Sequence, residues 1–349
     1  MKKIISLALI VILTLSISLL TACDDRPVLK VFNCGQYIDE SVLEDFENQY
    51  GVRVIYDTYA TNEEMYAKLK ADPSCYDVVF PSDYMAKRMI DEGILGKLDM
   101  SAIPNYANID EKFKGQYYDP NNEYTVPYFW GTLGILYNTD KIKEAPKSWA
   151  SFYNGSHNKK ILMLDSHRDT IGSALKYLGY SLNSTDPKEL DEAMKLLIKQ
   201  KPSVLAYVVD EVNDKMLGEE ADIAITWSGN AIETIMNSDG NFDYIIPEEG
   251  SNWFIDVMCV TEKSQSKELA MKFINFMCET DIATRNCLKT TYSTPIPAVF
   301  EEVKKVNPEF AANRAAFPSD EDLKNMEMFI TSDDINRQYD EIWQKIKAE

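Results

Sequence analysis

Short runs of β-branched and aromatic residues alternate with helical runs from residue 28 onward. Val28–Phe32 predicts a strand, and the apolar residues of the segment 42–50 then recur at helical spacing. Val52–Tyr56 predicts a second strand, followed by a helix over Asn62–Lys70 with Thr61 at its N-cap. Such regular alternation favours a mostly parallel sheet with helices packed on its faces.

A looser stretch rich in Asn, Pro and Tyr, Ile103–Tyr124, interrupts this alternation. Two apolar runs follow it, and the region 103–135 is therefore the best candidate for a chain crossing between two lobes. A second α/β series comes next, and the chain from Pro318 to its end is predicted to be helical. The other predicted elements are strands at Tyr76–Phe80, Ile161–Leu164, Val204–Val209, Ala221–Trp227 and Asp256–Val260, and helices at 83–92, Ile171–Leu178, Pro187–Gln200 and Lys267–Cys278.

The N-terminus has the pattern of a secretory signal. Lys2 and Lys3 precede an uncharged apolar run, Ile4–Leu20, and the small residue Ala22 stands directly before Cys23. We predict a signal peptide over residues 1–22 and lipid attachment at Cys23. The alternative is a transmembrane anchor, but a run of about 17 residues is at the short limit for a membrane span.

The charge of the chain limits its partners. The formal net charge is −20, which argues against nucleic acid and anionic lipid surfaces as partners because both require clustered Lys and Arg. A negative field would attract a cationic ligand, although acidity also simply keeps a protein soluble. At 349 residues the chain is long enough for two domains.

Five cysteines remain if Cys23 carries lipid, and none has the spacing of a metal site. At most two disulfides are possible, and buried free thiols are the favoured alternative. The five are Cys34, Cys75, Cys259, Cys278 and Cys287. We therefore expect neither a metal nor a cofactor.

Candidate ligand residues follow the predicted strands, because open α/β sheets bind ligands beyond the carboxyl ends of their strands. These loops are rich in carboxylates and aromatic rings, a combination suited to a small cation. Each residue also has a structural alternative: Asp83 and Asp169 could cap helices, and Tyr84 or Trp227 could be core aromatics. Asp256 is harder to explain in this way, because it stands in an apolar run where an unpaired carboxylate is costly. The loops are 33–37, 81–84, 165–169, 227–230 and 252–256.

Signatures of enzymes are weak in this sequence. It contains two histidines and no motif typical of a metalloprotease, a serine hydrolase or a nucleotide-binding loop. Two alternatives stay open from the residues alone. One is a secreted lipoprotein hydrolase using paired carboxylates such as Asp165 and Asp169, and the other is a structural or adhesive lipoprotein.

Five segments of the chain closely resemble the spermidine/putrescine-binding proteins of bacterial polyamine ABC transporters. The resemblance runs in order over essentially the whole chain after the leader. It implies an α/β fold of the type II periplasmic-binding-protein class, with two lobes, each a mostly parallel sheet flanked by helices, and the ligand in the cleft between them. The segments are Val54–Tyr59, Glu64–Lys70, Asp119–Asn122, Val126–Gly131 and Leu178–Ser181.

The resemblance also implies the lobe boundaries, the partners and the location. Lobe 1 would comprise 27–132 and 256–300, and lobe 2 would comprise 133–255 and 301–349. The chain would act without catalysis as a monomer, delivering a polyamine to the permease and ATPase of an ABC transporter. It would be extracytoplasmic and, with the lipid predicted at Cys23, anchored to a bacterial membrane at the periplasmic face or the cell surface.

Carried over residue by residue, the resemblance places a polyamine site on the loops already described. Asp256 would pair with an inner ammonium of the ligand and Asp169 with a terminal one, while Trp227 and Tyr37 would form stacking walls. The full predicted set is Gln36, Tyr37, Ser82, Asp83, Tyr84, Ser166, Asp169, Trp227, Phe254, Asp256, Tyr292 and Phe329.

Several positions depart from the family pattern. Cys34 replaces a usual Trp, and Gln36 and Ser166 replace acids, while Phe254 matches putrescine-type members and Phe329 stands where Gln would reach an amine. With two acids lost, Asp169 and Asp256 are the clearest counter-ions. This count predicts that putrescine binds at least as well as spermidine.

Overall fold

The computed structural model describes residues 25–319 and 321–349. The predicted signal peptide, 1–22, and the predicted lipid-attachment residue Cys23 lie outside the described residues. Within this part of the chain, every helix is too short or too polar to span a bilayer.

Strands and helices alternate as the sequence predicts, which confirms the α/β class. The strands are β1 (Val28–Cys34), β2 (Arg53–Tyr59), β3 (Val78–Val79), β4 (Val126–Asn138), β5 (Ile161–Leu164), β6 (Val204–Val208), β7 (Ile223–Trp227), β8 (Phe242–Ile245) and β9 (Trp253–Val260). The helices of the first half are α1 (Ser41–Tyr50), α2 (Asn62–Ala71), α3 (Asp83–Asp91), α4 (Ala150–Tyr153) and α5 (His167–Tyr177). Those of the second half are α6 (Pro187–Gln200), α7 (Val212–Leu217), α8 (Ser228–Met236), α9 (Lys267–Met277), α10 (Thr280–Thr290), α11 (Pro297–Val306), α12 (Pro308–Ala312) and α13 (Asp333–Ala348).

The described strands form one continuous sheet in the order β2-β1-β3-β9-β4-β7-β5-β6, with β8 paired to β4. The outer pairs are parallel: on one side β1 pairs with β2 and with β3, and on the other side β5 pairs with β6 and with β7. The central pairs, β3–β9, β9–β4 and β4–β7, are antiparallel. The sheet therefore consists of two parallel halves joined through two central strands.

The long strand β4 joins the two lobes. Its first half, from Val126 to Thr132, pairs with β9, and its second half, from Leu133, pairs with β7 and β8. All thirteen of its residues are buried, so two apolar runs separated by Gly131 form a single crossing strand. Strand β9 crosses beside it in the opposite direction. The lobe on the β1 side is called here the first lobe, and the lobe on the β5 side the second lobe.

Each lobe packs helices against its half of the sheet. In the first lobe, Phe46 of α1 packs against Phe273 and Phe276 of α9. In the second lobe a separate buried cluster joins α5, α6 and α13 to β5 and β7, with the fully buried Trp149 and Tyr339 among its largest side chains. Helix α11 packs on α10 and α12. The residue-level lobe boundaries stay a prediction.

Local signals explain several element ends. The side chain of Thr61 accepts a hydrogen bond from the backbone N–H of Glu64, which begins α2 as the capping pattern predicts. The Glu64 carboxylate in turn accepts from the N–H of Ala60 at 3.0 Å. Gly51 ends α1 in the left-handed region, with φ at 65°, where a residue without a side chain is favoured.

The prediction of helix from Pro318 onward is wrong for 318–319 and 321–332, which are turns and irregular backbone. The reason is that this segment pairs with residues far away in the sequence. Glu327 forms a bridge with Asn252, and its carboxylate binds the ammonium of Lys176 at 2.8 Å. Helix α13 begins only at Asp333, after Ser332 caps it.

The five cysteines of the described chain are all free thiols, so no disulfide stabilises this part of the protein. Cys259, Cys278 and Cys287 are buried, and Cys34 and Cys75 are partly buried. Burial raises the pKa of the Cys287 thiol to about 12, which keeps that group protonated and unreactive.

Candidate ligand-binding site

A cavity lies between the lobes, beyond the carboxyl ends of the strands β1, β5, β6 and β7. The first lobe contributes the turn after β1, the start of α2, the loop before α3 and the chain after α10. The second lobe contributes the loops after β5, β6 and β7 and the chain before α13. The predicted site residues in its lining are Gln36, Tyr37, Ser82, Tyr84, Ser166, Asp169, Trp227, Phe254, Asp256, Tyr292 and Phe329.

Asp83 is the predicted site residue that the structure keeps out of this lining. It is 1% exposed, and its carboxylate accepts hydrogen bonds from the backbone N–H groups of Tyr84, at 2.5 Å, and Ile255, at 3.1 Å. Burial raises the pKa of Asp83 to about 8, so the group is mostly neutral at pH 7. Asp83 therefore joins α3 to β9 and is a poor counter-ion for a ligand.

Asp256 is the most firmly positioned acid of the cavity. It lies on β9 at the centre of the sheet and is 7% exposed. The hydroxyl of Ser82 donates to its Oδ1 at 2.5 Å, and the hydroxyl of Tyr37 donates to its Oδ2. Burial raises the pKa of Asp256 to about 6, and these two hydrogen bonds oppose the rise. The carboxylate is held in place while each oxygen keeps capacity to accept a further donor.

Asp169 is the corresponding acid of the second lobe. It lies in the first turn of α5 and is 5% exposed. The hydroxyl of Ser166 donates to its Oδ2 at 2.6 Å, while its Oδ1 is buried without a hydrogen-bond partner among the described residues. Burial raises the pKa of Asp169 to about 6 as well. The Ser166 hydroxyl, the Trp227 side chain and the Arg168 guanidinium oppose that rise in pKa, and Oδ1 keeps capacity to accept a hydrogen bond.

Aromatic rings form the walls between these acids. Tyr37 packs edge-on against Tyr292 and Phe129, with ring centroids 4.8 and 5.1 Å apart, which fixes its orientation. The guanidinium of Arg168 lies 5.4 Å from the ring centroid of Tyr84 and 4.8 Å from that of Phe329, so both rings already hold a cation.

Trp227, Phe254 and Tyr292 have no such cation among the described residues. Together with Tyr37 they are therefore the rings best placed to face a cationic ligand.

The lobes touch each other around the cavity. The hydroxyl of Tyr292, from the first lobe, donates to Oδ1 of Asn230 at 2.6 Å, and the hydroxyl of Thr291 donates to the carbonyl of Gly229 at 2.8 Å. The Tyr84 and Phe329 rings meet edge-on across the cleft at 6.0 Å. This is a closed arrangement in which both lobes surround the same space.

The cavity also contains acids that the sequence reasoning missed. Asp210, Glu233 and Glu63 line it, and Glu63 accepts a hydrogen bond from the Tyr84 hydroxyl at 3.0 Å. Asp210 lies two residues after the end of β6, so the carboxyl-end rule applied to that strand would have included it. Glu233 lies within α8, where no local pattern marks it.

No Lys, Arg or His stands among the described residues that line the cavity. The described residues also hold no cluster of His, Cys, Asp or Glu suited to a metal ion. A deep cleft with buried carboxylates from two facing lobes and aromatic walls defines a class: a binding protein that closes around a small solute.

The comparisons with known proteins give the family. The chain belongs to the bacterial extracellular solute-binding protein family, whose model matches residues 41–318. It is 34% identical over 327 residues to the spermidine/putrescine-binding periplasmic protein of Escherichia coli, covering 93% of each chain. The resemblance stated from the sequence is thereby confirmed.

Solved structures agree with this assignment. A putative spermidine/putrescine ABC transporter protein from Listeria monocytogenes matches with a TM-score of 0.88 and 33% identity, covering 92% of this chain and 98% of that one. The Tp0655 lipoprotein of Treponema pallidum matches with a TM-score of 0.80 and 27% identity, covering 92% and 100%. The two-lobed fold is confirmed, and the relatives are binding proteins of transporters, which gives the hydrolase alternative no support.

Proposed function

We propose that this chain captures a polyamine, putrescine or spermidine, outside the cytoplasm and delivers it to the permease and ATPase of an ABC transporter. The observation that carries the proposal is the pair of acids Asp256 and Asp169. They are nearly fully buried, come from opposite lobes and line one cavity in which the described residues place no protein cation. Each would bind an ammonium group, and the rings between them would contact the methylene chain.

The relatives support the same ligand class. The Escherichia coli protein is named for spermidine and putrescine, and it aligns with this chain over nearly its whole length. The described part of the chain brings no basic residue to the cavity lining, which argues against an anionic ligand, since such a ligand would need Arg, Lys or backbone nests. We propose that the protein binds without catalysis and acts as a monomer.

Native mass spectrometry of the purified mature protein with a mixture of diamines and triamines tests the proposal directly. We expect one polyamine bound per chain, and amino acids or sugars of similar mass in the mixture should stay free. If a neutral or anionic solute is retained in preference to every amine, the proposed function is wrong.

Polyamine binding is expected to weaken in acid. Burial raises the pKa of Asp256 and of Asp169 to about 6, and each carboxylate attracts an ammonium only when ionised. The negative charge of the two carboxylates is therefore present above pH 6 and is lost as the pH falls through 6. Calorimetry should give a dissociation constant at pH 5 at least about tenfold larger than at pH 7.5.

A bound ammonium also lowers the pKa of both acids, so binding near pH 6 should release protons. Titration in two buffers of different ionisation enthalpy measures that release. An affinity that is the same at pH 5 and pH 7.5 would contradict the assigned charge pair.

We further propose that Cys23 anchors the mature chain to a membrane by its lipid. The support is the small residues before Cys23 at the end of the apolar leader. Cys23→Ser should abolish lipid labelling and shift the protein from the detergent phase to the aqueous phase. Cys34→Ser serves as the matched control, since Cys34 lies well past the leader. A Cys23→Ser protein that still partitions into detergent would refute the anchor.

A further inference from the structure

The loop after β6 brings a carboxylate across the cleft to the first lobe. Asp210 follows β6 in the second lobe and lines the cavity. A methyl group added at Gly35, in the turn after β1, would stand 3.0 Å from Oδ2 of Asp210. The Asp210 carboxylate therefore lies against the Gly35 backbone of the opposite lobe.

Asp210 has no structural partner that would explain its position. Its carboxylate accepts no hydrogen bond and forms no ion pair with the other residues of 25–319 and 321–349, and it does not cap α7. Burial raises its pKa, and the neighbouring acids Glu211 and Glu233 raise it further. A partly buried, unpaired carboxylate beside another acid is costly unless a cation compensates it.

Glu233 is the second acid of this end of the cavity. It lies on α8, also lines the cavity, and accepts a hydrogen bond from the amide of Asn213 at 2.6 Å. Burial raises its pKa too, and the nearby Lys289 opposes that rise. Asn213 fixes the Glu233 carboxylate, whereas Asp210 is left free to meet a ligand.

Cys34 lines the same cavity as Asp210 and Asp256. Both Asp210 and Asp256 act on the thiol electrostatically and raise its pKa beyond the effect of burial. By the family resemblance a Trp would stand at position 34. A thiol is far smaller than an indole ring, so at this position it leaves more of the cavity to a ligand.

We propose that Asp210, supported by Glu233, is the counter-ion for a third ammonium group and that this chain therefore prefers a triamine to a diamine. The inference rests on the proposed function and deepens it. Asp169 and Asp256 alone provide two negative charges, which match the two ammonium groups of a diamine. Because Gln36 and Ser166 replace acids of the family, the sequence predicted no third clear counter-ion. Asp210 restores a third acid from a different loop, and Cys34 leaves the space to reach it.

Competition calorimetry with spermidine and putrescine at pH 7.5 tests the proposal. Wild type should bind spermidine more than about tenfold tighter than putrescine, a gap of roughly 1.4 kcal/mol. Asp210→Asn should weaken spermidine about tenfold or more and putrescine less than about threefold. Glu233→Gln should act in the same direction with a smaller effect. Asp239→Asn is the matched control, because it removes one exposed charge from the same lobe outside the cavity.

Thermal melts of all variants establish that each is folded. If Asp210→Asn leaves the spermidine-to-putrescine ratio unchanged while both amines still bind, the third subsite is wrong and the proposed function stands. If wild type binds neither amine, the proposed function itself fails, and this inference with it. A wild-type preference for putrescine would also overturn the third subsite.

Discussion

Asp256→Asn is expected to weaken polyamine binding by about 30-fold to several thousandfold, the 2–5 kcal/mol typical of breaking a desolvated charge pair. The amide can still bond with Ser82 and Tyr37, so the local geometry should survive while the negative charge is lost. The bound ammonium would then be buried without a counter-charge. Calorimetry against wild type measures the effect for each polyamine.

The control for this substitution is Asp91→Asn. Asp91 ends α3 in the same lobe and pairs with Lys87 on the surface, outside the cavity lining. The Asp91→Asn substitution also removes one charge from the protein, and it should change the polyamine affinity less than about twofold, because an exposed ion pair usually contributes little. Equal effects of the two substitutions would show that net charge, rather than the position of Asp256, governs binding.

Gly229→Ala is expected to oppose closure of the lobes. A Cβ at Gly229 would stand 2.1 Å from Cε2 of Tyr292, which belongs to the other lobe. The Tyr292 ring packs on Tyr37 and its hydroxyl bonds with Asn230, so it has little freedom to move aside. Overpacking of this kind costs about 1–3 kcal/mol, which corresponds to a loss of affinity of about 5- to 150-fold.

Small-angle scattering distinguishes this mechanism from a simple loss of contacts. With saturating polyamine the wild type should contract, and the Gly229→Ala protein should keep a larger radius of gyration. Gly172→Ala is the matched control, a helical glycine of the same lobe whose added methyl would meet its nearest atoms, in Leu182 and Phe329, at 3.4 Å or more. A Gly229→Ala protein that contracts and binds like wild type would contradict the assigned closing contact.

Much of the site was accessible from the sequence because parallel strands place their following loops at one edge of a sheet. Tyr37, Ser82, Asp169 and Trp227 each lie at the end of a strand, in the loop after one or in the first turn of the next helix, and the cavity lining contains all four. Their contact with a ligand stays a prediction. Asp256 was singled out by its isolation in an apolar run, and the structure shows the two hydroxyls that make its burial tolerable.

Other parts of the site depend on contacts between distant segments. Asp83 has the same local pattern as its neighbours, but the N–H of Ile255, from β9, captures its carboxylate and turns it away from the cavity lining. Glu233 has the pattern of an ordinary exposed helix residue, and only the packing of α8 against the cleft brings it to the ligand space. The local sequence around Asp83 and around Glu233 does not show that the first is kept out of the cavity lining and the second is part of it.

The sequence by itself determined the α/β class, the two series of strands and helices and the acidic, aromatic character of the loops, because periodicity and turn chemistry are local properties. The tertiary structure alone decided that 126–138 is a single crossing strand, that 321–332 is irregular, and that Asp210 meets Gly35 across the cleft. Each of these depends on pairing or packing between segments far apart in the chain. Such contacts are selected by the free energy of the whole fold, which no short stretch of sequence records.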